Sequence, residues 1–365
     1  MSVKAGATRR LGLSRGRKVA YIGAAFVITA LLTASGILAL DVYVHHRVQY
    51  DAGVNVWGYR GAPVGAKKPG ETRIIALGGS TAFGYGLRWN ESWPYYLEQK
   101  ISATLGRGAG PVTVVNLGIP TDTAETFVST LDSYAYLNAD IAMFYEGYND
   151  LGLDVSPPKN TTNPAVSHYL AWRYQSPIFR WTGYFPILPL VLNERAQVML
   201  HGHVGPDGPS EVVFRPDLAE RTTAAAMKSA ADIGVAIERK LGTLTGVHAP
   251  RTDAIEADCG RWREYCGAVE AAVQHALSRG QMAVVITQPY VSDLHIDQQT
   301  ALAAMMMRRF GDNPEVRYAN LGRLIDMRDH ALVYDGLHLV AKGNERIADA
   351  LLPVALELVR HVQAH

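Results

Sequence analysis

Two cysteines in 365 residues exclude a scaffold built on disulfides. The chain also lacks a surplus of charge of either sign. Its 35 Lys and Arg face 34 Asp and Glu, for a formal net charge of +1. That balance hides a division. Residues 1–18 hold six basic side chains (Lys4, Arg9, Arg10, Arg15, Arg17 and Lys18) and no acidic one. The remaining 29 basic residues meet all 34 acidic ones, so the body carries about −5. Nucleic-acid binding calls for a basic patch on the folded domain, which this distribution argues against. There is no internal repeat and no low-complexity tract, and a hydrophobic fraction of 48% excludes a disordered chain. The length allows one large domain or two small ones.

Charge is wholly absent from Val19 to Leu40, a run of 22 residues that ends at Asp41. At about 1.5 Å per residue, a helix of this length crosses the roughly 30 Å hydrocarbon core of a bilayer. The apolar region of a cleaved signal peptide is shorter, about 7–15 residues. Ala34-Ser35-Gly36 has the small residues of a cleavage site, but Ile37–Leu40 continues the apolar run past it. The reading is an uncleaved transmembrane signal anchor over 19–40. By the positive-inside rule residues 1–18 then form a basic cytoplasmic segment. Everything after Asp41 is expected outside the cell (inner) membrane, periplasmic or on its outer face. Residues 41–70, punctuated by Gly53, Gly58, Gly61, Pro63, Gly65, Pro69 and Gly70, read as a stalk.

From residue 71 to 365, short β-rich runs alternate with helical stretches. Strands are expected at Arg73–Leu77, Val112–Asn116, Asp140–Tyr145, Met282–Thr287 and Val316–Leu321. Helices are expected at Ser92–Leu105, Thr123–Leu137 and Gly343–Val359, with residues 218–279 largely helical but interrupted near 242–258. Apolar strands alternating with helices imply a parallel sheet covered on both faces. In open sheets of this kind, chemistry gathers at the carboxyl ends of the strands. The first strand ends in Gly78-Gly79-Ser80-Thr81, the second in Asn116-Leu117-Gly118 and the third in Gly147-Tyr148-Asn149-Asp150. Asp335-Gly336-Leu337-His338 stands just before the last helix.

Each piece alone has an ordinary explanation. Ser80 suits a helix N-cap, Asn149 a turn, Gly118 a positive φ and His338 a structural histidine. Together and in this order, the four pieces resemble the SGNH hydrolases, or GDSL esterases and lipases, over roughly residues 72–150 and 280–360. The resemblance implies a flavodoxin-like three-layer α/β/α sandwich with a parallel five-stranded sheet, here with an N-terminal transmembrane helix. It also implies roles. Ser80 matches the family's nucleophile, His338 its general base and Asp335 the carboxylate that orients the imidazole. Ser80 and Gly118 match backbone donors of the oxyanion hole, and Asn149 its side-chain donor. Gly79 departs from the aspartate of the family's name motif, which points to a divergent branch and makes substrate analogy unsafe.

The chemistry asks for these residue types independently. A serine hydroxyl needs a base to take its proton, and histidine titrates near neutrality. A carboxylate on the other ring nitrogen fixes the tautomer and stabilises the imidazolium. The rival pair Asp293 and His295, after the fourth strand, has the wrong spacing and precedes no terminal helix.

Metal chemistry has little support. His201 and His203 form an isolated pair without a third ligand, and Asp253, Glu256 and Asp258 read as a solvated loop. No cofactor is expected. Cys259 and Cys266, placed on one helix, would stand about 10 Å apart and read as separate packing cysteines. Asn90-Glu-Ser92 and Asn160-Thr-Thr162 are glycosylation sequons that nothing else in the sequence supports.

The interval 151–218 holds nine prolines and the aromatics Tyr169, Trp172, Tyr174, Phe179, Trp181, Tyr184 and Phe185, with Arg173 and Arg180 interleaved. It reads as an insertion packed on the core, or as a cap over Ser80 that binds substrate. Its rings would then stack on sugars or sit at a lipid headgroup zone.

The resulting expectation is a membrane-anchored serine esterase acting through an acyl-enzyme on an ester-bearing small molecule, lipid or glycan. Two alternatives stand beside it. One is an O-acetyltransferase or deacetylase of an envelope polysaccharide. The other is a non-catalytic scaffold on the same fold.

Overall fold

The computed structural model describes residues 14–52, 54–106, 109–120, 122–151, 176–201 and 259–364. Helix α1 (Arg15–Ala52) contains the entire uncharged run. A helix of a water-soluble domain hides its apolar stripe. Here Val19, Phe26, Leu32 and Leu38 are all exposed, on different sides of the helix. The helix is long and apolar enough to cross a membrane.

The helix does not stop at residue 40, and the segment expected as a stalk is built into the body over much of its length. Residues 41–52 extend α1, and Val54, Tyr59 and Arg60 beyond it are buried. The Arg60 amide donates to the Asn116 carbonyl (3.0 Å), and its guanidinium lies 3.9 Å from the centre of the Phe83 ring. The glycines that suggested a free linker instead allow tight turns: Gly58 and Gly61 take φ of 76° and 98°.

The body then follows in order: β1 (Thr72–Gly78), α2 (Ser80–Phe83), α3 (Trp93–Leu105), β2 (Val112–Asn116), α4 (Phe127–Ser133) and β3 (Ile141–Tyr145). After these come α5 (Pro177–Thr182), α6 (Leu188–His201), α7 (Arg263–Ser278), β4 (Met282–Thr287), α8 (Asp293–Phe310), β5 (Val316–Asn320) and α9 (Ala341–Ala364). The expected helix over 123–137 is shorter, because tight single turns at Ala124–Thr126 and Ala135–Leu137 flank α4.

All five strands pair in parallel, in the order β2-β1-β3-β4-β5. Successive side chains of a strand point to opposite faces. Ile74 and Ala76 therefore join Met143 and Val284 under α3 and α9, while Ile75 and Leu77 join Phe144 and Val285 under α4, α7 and α8. Both faces are covered, which is why these strands read as unbroken apolar runs. From β1 the chain moves outward to β2 and then returns to the other side of β1 for β3. The carboxyl ends of β1 and β3 therefore flank the topological switch point, where an open sheet leaves a crevice.

The cysteines correct the sequence reading. Cys259 and Cys266 form a disulfide, with Cα atoms 6.5 Å apart. Cys259 lies off the helix. It adopts a left-handed φ of 60°, a single turn follows at Gly260–Trp262, and α7 begins only at Arg263. The assumption that both residues share one helix therefore fails, and with it the 10 Å estimate.

At the base of β1 a buried cation is held from several directions. Arg73 donates to Glu71 Oε1 (2.8 and 3.0 Å), to the Leu137 carbonyl (2.9 Å) and to the Gly65 carbonyl (3.1 Å). Both members of the ion pair are 3% exposed. Glu71→Ala leaves that guanidinium buried without its countercharge, so a loss of about 3 kcal/mol is expected. Denaturant unfolding of the detergent-solubilised chain measures it, and a change below about 0.5 kcal/mol would mean that water replaces the pair without penalty.

Candidate active site

The nucleophile candidate stands where the sequence reading put it, at the turn from β1 into α2. Ser80 is the first residue of α2 and is half-buried. An amide at this position has no acceptor within its own helix. The glycine before it sits in a crowded space. A Cβ on Gly79 would lie 2.5 Å from Glu146 Oε2 and would strike the Asn149 side-chain amide. A side chain at position 79 would have to displace the ends of the Glu146 and Asn149 side chains.

Asp335 and His338 come from a tight loop between β5 and α9. Val333 and Leu339 form an antiparallel bridge, and the Tyr334 amide donates to the His338 carbonyl (3.0 Å). Gly336 takes φ of 87°, a conformation that favours glycine. Inside this loop Asp335 Oδ1 accepts the amides of Leu337 (2.9 Å) and His338 (2.6 Å). Its other oxygen accepts from His338 Nδ1 (2.6 Å). With Nδ1 protonated, Nε2 is an acceptor, and it lies 2.8 Å from Ser80 Oγ. Burial alone would raise the Asp335 carboxyl, but the His338 charge and these hydrogen bonds outweigh it and hold the group below the usual carboxylate range. The imidazole is steadied from both sides. The Tyr334 ring stacks on it (18° between planes, centroids 5.8 Å apart) and the Tyr85 ring lies 5.2 Å away. Tyr334 in turn donates its hydroxyl to the Tyr85 carbonyl (2.9 Å).

Asn149 follows β3 and reaches the same turn from the neighbouring strand. One hydrogen of its amide goes to the Asp122 carbonyl (2.6 Å), and a carboxamide nitrogen carries a second. Gly118 does not join this group as a donor. Asn116 makes a local turn at the end of β2 and accepts the Gly118 amide on its own Oδ1 (2.9 Å). Gly118 contributes closeness instead, since a Cβ there would lie 2.5 Å from the Phe83 amide nitrogen beneath α2. The structure thus brings Ser80, His338, Asp335 and Asn149 together and leaves the Gly118 N–H engaged elsewhere.

The rival histidine is buried apart from solvent. His295 is fully buried between the rings of Tyr148 (4.8 Å) and Tyr290 (5.8 Å), and burial drives its pKa down to about 3. Among the described residues no three His, Cys, Asp or Glu side chains are grouped to hold a metal ion. His203, Asp253, Glu256, Asp258, Tyr169, Trp172, Arg173 and Tyr174 lie outside the described residues.

Two residues that sequence reasoning missed support the turn. Gln288, at the end of β4, donates to Thr81 Oγ1 (2.7 Å) and accepts the Tyr148 amide (2.9 Å), tying α2 to the loop that carries Asn149. Glu146 accepts the amides of Gly147 (3.0 Å) and Asn149 (3.4 Å) on Oε1. It is fully buried, and burial together with the charge of Asp150 pushes its carboxyl well above the ordinary range. Asp150, half-buried, is pushed up to about 7 by desolvation. Gln288 and Glu146 both sit at strand ends where chemistry was sought; the partners of Gln288 lie 140 or more positions away and leave no local sequence signal, whereas Glu146 bonds within its own loop.

The family model described as GDSL-like lipase/acylhydrolase matches residues 76–346. No curated protein matches the chain in sequence. Solved structures similar to it include a family 3 carbohydrate esterase from Clostridium thermocellum (10% identity, 80% of this chain and 99% of that one, TM-score 0.42). A family 3 carbohydrate esterase from Talaromyces cellulolyticus matches at 10% identity (80% and 99%, TM-score 0.40). A lipase/acylhydrolase from Enterococcus faecalis matches at 15% identity (78% and 96%, TM-score 0.39).

The buried carboxyl of Glu146 gives a signed pH dependence. Its pKa is raised on folding, so its favourable contribution is complete below the unfolded value, about pH 4, and is lost as pH rises through the folded value. Glu146→Gln keeps the shape and cannot ionise. The stability of the variant relative to the parent is therefore expected to improve as pH rises above about 4. Thermal unfolding across that range checks it, and a difference independent of pH would mean that Glu146 is ionised in the folded protein.

Proposed function

Because the chain belongs to the GDSL-like lipase/acylhydrolase family, we propose that it is a serine esterase that cleaves a carboxylic ester, an acyl or acetyl ester of a lipid or glycan, through an acyl-enzyme on Ser80. The observation that carries this reading is the continuous hydrogen-bonded line from Ser80 Oγ through His338 to Asp335, at 2.8 and 2.6 Å. Ser80 Oγ attacks the ester carbonyl carbon while His338 Nε2 takes the hydroxyl proton. Asp335 keeps Nδ1 protonated and stabilises the imidazolium. The carbonyl electrons move onto oxygen, where the Ser80 amide and the second Asn149 hydrogen meet the new charge. The carbon–oxygen bond to the alcohol then breaks, and His338 returns the proton to the leaving oxygen. Water repeats the sequence on the acyl-enzyme, releasing the acid and restoring Ser80.

The enzyme works outside the cytoplasm, anchored by α1 with its N-terminus inside. Two independent observations support this placement. The six basic residues precede the apolar run. The Cys259–Cys266 disulfide suits an oxidising compartment and would be disfavoured among reduced cytosolic thiols.

Fluorophosphonate labelling of the full chain in detergent is expected to modify Ser80 and to vanish in Ser80→Ala. Folded parent protein that resists the reagent would overturn the esterase reading. Among variants that keep the fold, Asp335→Asn is expected to lower kcat on a small soluble ester by about 10⁴-fold. Asn149→Ala is expected to lower it by about 10²–10³-fold with little change in KM. Mass spectrometry of the products identifies whether water or a sugar hydroxyl accepts the acyl group.

A further inference from the structure

The lower part of the aromatic segment carries a feature that ester chemistry does not use. In α5, Phe179 is buried against Phe185 (5.7 Å between centroids) and Tyr134 (5.9 Å). The same short helix turns Ile178 (51% exposed) and Trp181 (95%) outward. A tryptophan left almost entirely in water is unusual for so large an apolar ring. Helix α6 repeats the arrangement over a longer span. Leu188 is buried and Val191 half-buried, while Leu192, Ala196, Met199 and Leu200 are exposed. These four follow the spacing i, i+4, i+7, i+8 and form one apolar stripe along the helix. Arg195 is exposed beside it.

The position of these helices is fixed by α1. Asp41, the residue that ends the uncharged run, accepts the amides of Ile187 (3.0 Å) and Leu188 (2.5 Å) on Oδ1, and so caps the start of α6 from another helix. Its second oxygen accepts the Tyr184 hydroxyl. One turn further along α1, His45 Nε2 donates to the Phe185 carbonyl (2.5 Å). Asp41 and His45 are buried by this contact, at 3% and 0% exposure. The point where a membrane-crossing α1 would leave hydrocarbon is thus the point at which α5 and α6 are tied down.

We propose that α5 and α6 form a membrane-docking surface whose partner is the lipid bilayer that α1 crosses. The inference rests on the spanning reading of α1 given above. Trp181 and Ile178 enter the headgroup boundary, where tryptophan is favoured. The stripe Leu192, Ala196, Met199 and Leu200 faces the acyl chains, as an interfacial amphipathic helix does, and Arg195 faces anionic headgroups. The body is then held against the membrane at two places, α1 and this surface, and does not swing on α1 alone.

The test uses the full chain in vesicles of phosphatidylcholine and phosphatidylglycerol, with one nitroxide at a time on Trp181→Cys, Met199→Cys, Phe26→Cys or Gln99→Cys. The native cysteines are bonded to each other and leave the introduced thiol as the site of labelling. Collision rates with oxygen, which concentrates in lipid, and with a polar nickel chelate are compared. The expected result is an oxygen-to-nickel ratio above one at 26, 181 and 199 and below one at Gln99 on the body. If position 26 is lipid-exposed while 181 and 199 are aqueous, the docking surface is overturned and the spanning helix stands. If position 26 is aqueous too, the spanning reading itself fails. Spin–spin broadening at 199 that disappears on dilution with unlabelled protein would assign the stripe to a second copy of the chain and would also overturn the proposal.

Discussion

The parallel pairing of β1 with β3 is the constraint on which the candidate site depends. It sets Gly78 opposite Tyr145, so the next few residues of each strand share a space too small for ordinary side chains. Ser80 and Asn149 meet because their strands are neighbours in the sheet, although 69 positions separate them in the chain. Asp335 and His338 need no such pairing with each other. Their loop is a self-contained unit in which one carboxylate accepts two amides and the imidazole, and it has only to be delivered to the same crevice. The site is therefore two rigid halves brought face to face, one fixed by strand register and one by local hydrogen bonding.

The same crowding surrounds Gly79, where the chain departs from the family motif. The volume that an aspartate at position 79 would need is occupied by Glu146, which arrives from β3 and accepts the amide of the very residue that carries the Asn149 side chain. A carboxyl group is kept beside the turn, but it is supplied by a different strand. Burial and the nearby charge of Asp150 push this carboxyl well above the ordinary carboxylate range, and its Oε1 accepts the amides of Gly147 and Asn149.

How much of this was legible in the sequence follows from the range of each interaction. The strands at 112–116 and 282–287 appear at their predicted bounds because burial on both faces leaves an unbroken apolar run. The aspartate and histidine were legible as a pair because three residues separate them. Gly118 was placed among the donors because the family resemblance implied it. Its amide instead donates to the Asn116 side chain two residues earlier, and composition cannot reveal that. Gln288 was invisible as a support because its partners, Thr81 and Tyr148, are brought to it only once the sheet has formed. The stalk was misjudged because glycine marks tight packing turns as readily as free linkers. The docking of residues 184–188 on Asp41 links positions more than 140 apart, which no local pattern records.

The bond between Cys259 and Cys266 closes a ring of only seven residues in sequence separation. Closing so short a loop removes little freedom from the unfolded chain, since the entropic restraint of a cross-link grows with loop length. Its value lies in when and where it acts. Both thiols emerge together during synthesis, so oxidation needs no long-range search and no completed sheet. The link joins the left-handed residue Cys259 to the first turn of α7. The bridge therefore restrains a local turn at the entry to α7 rather than the chain as a whole.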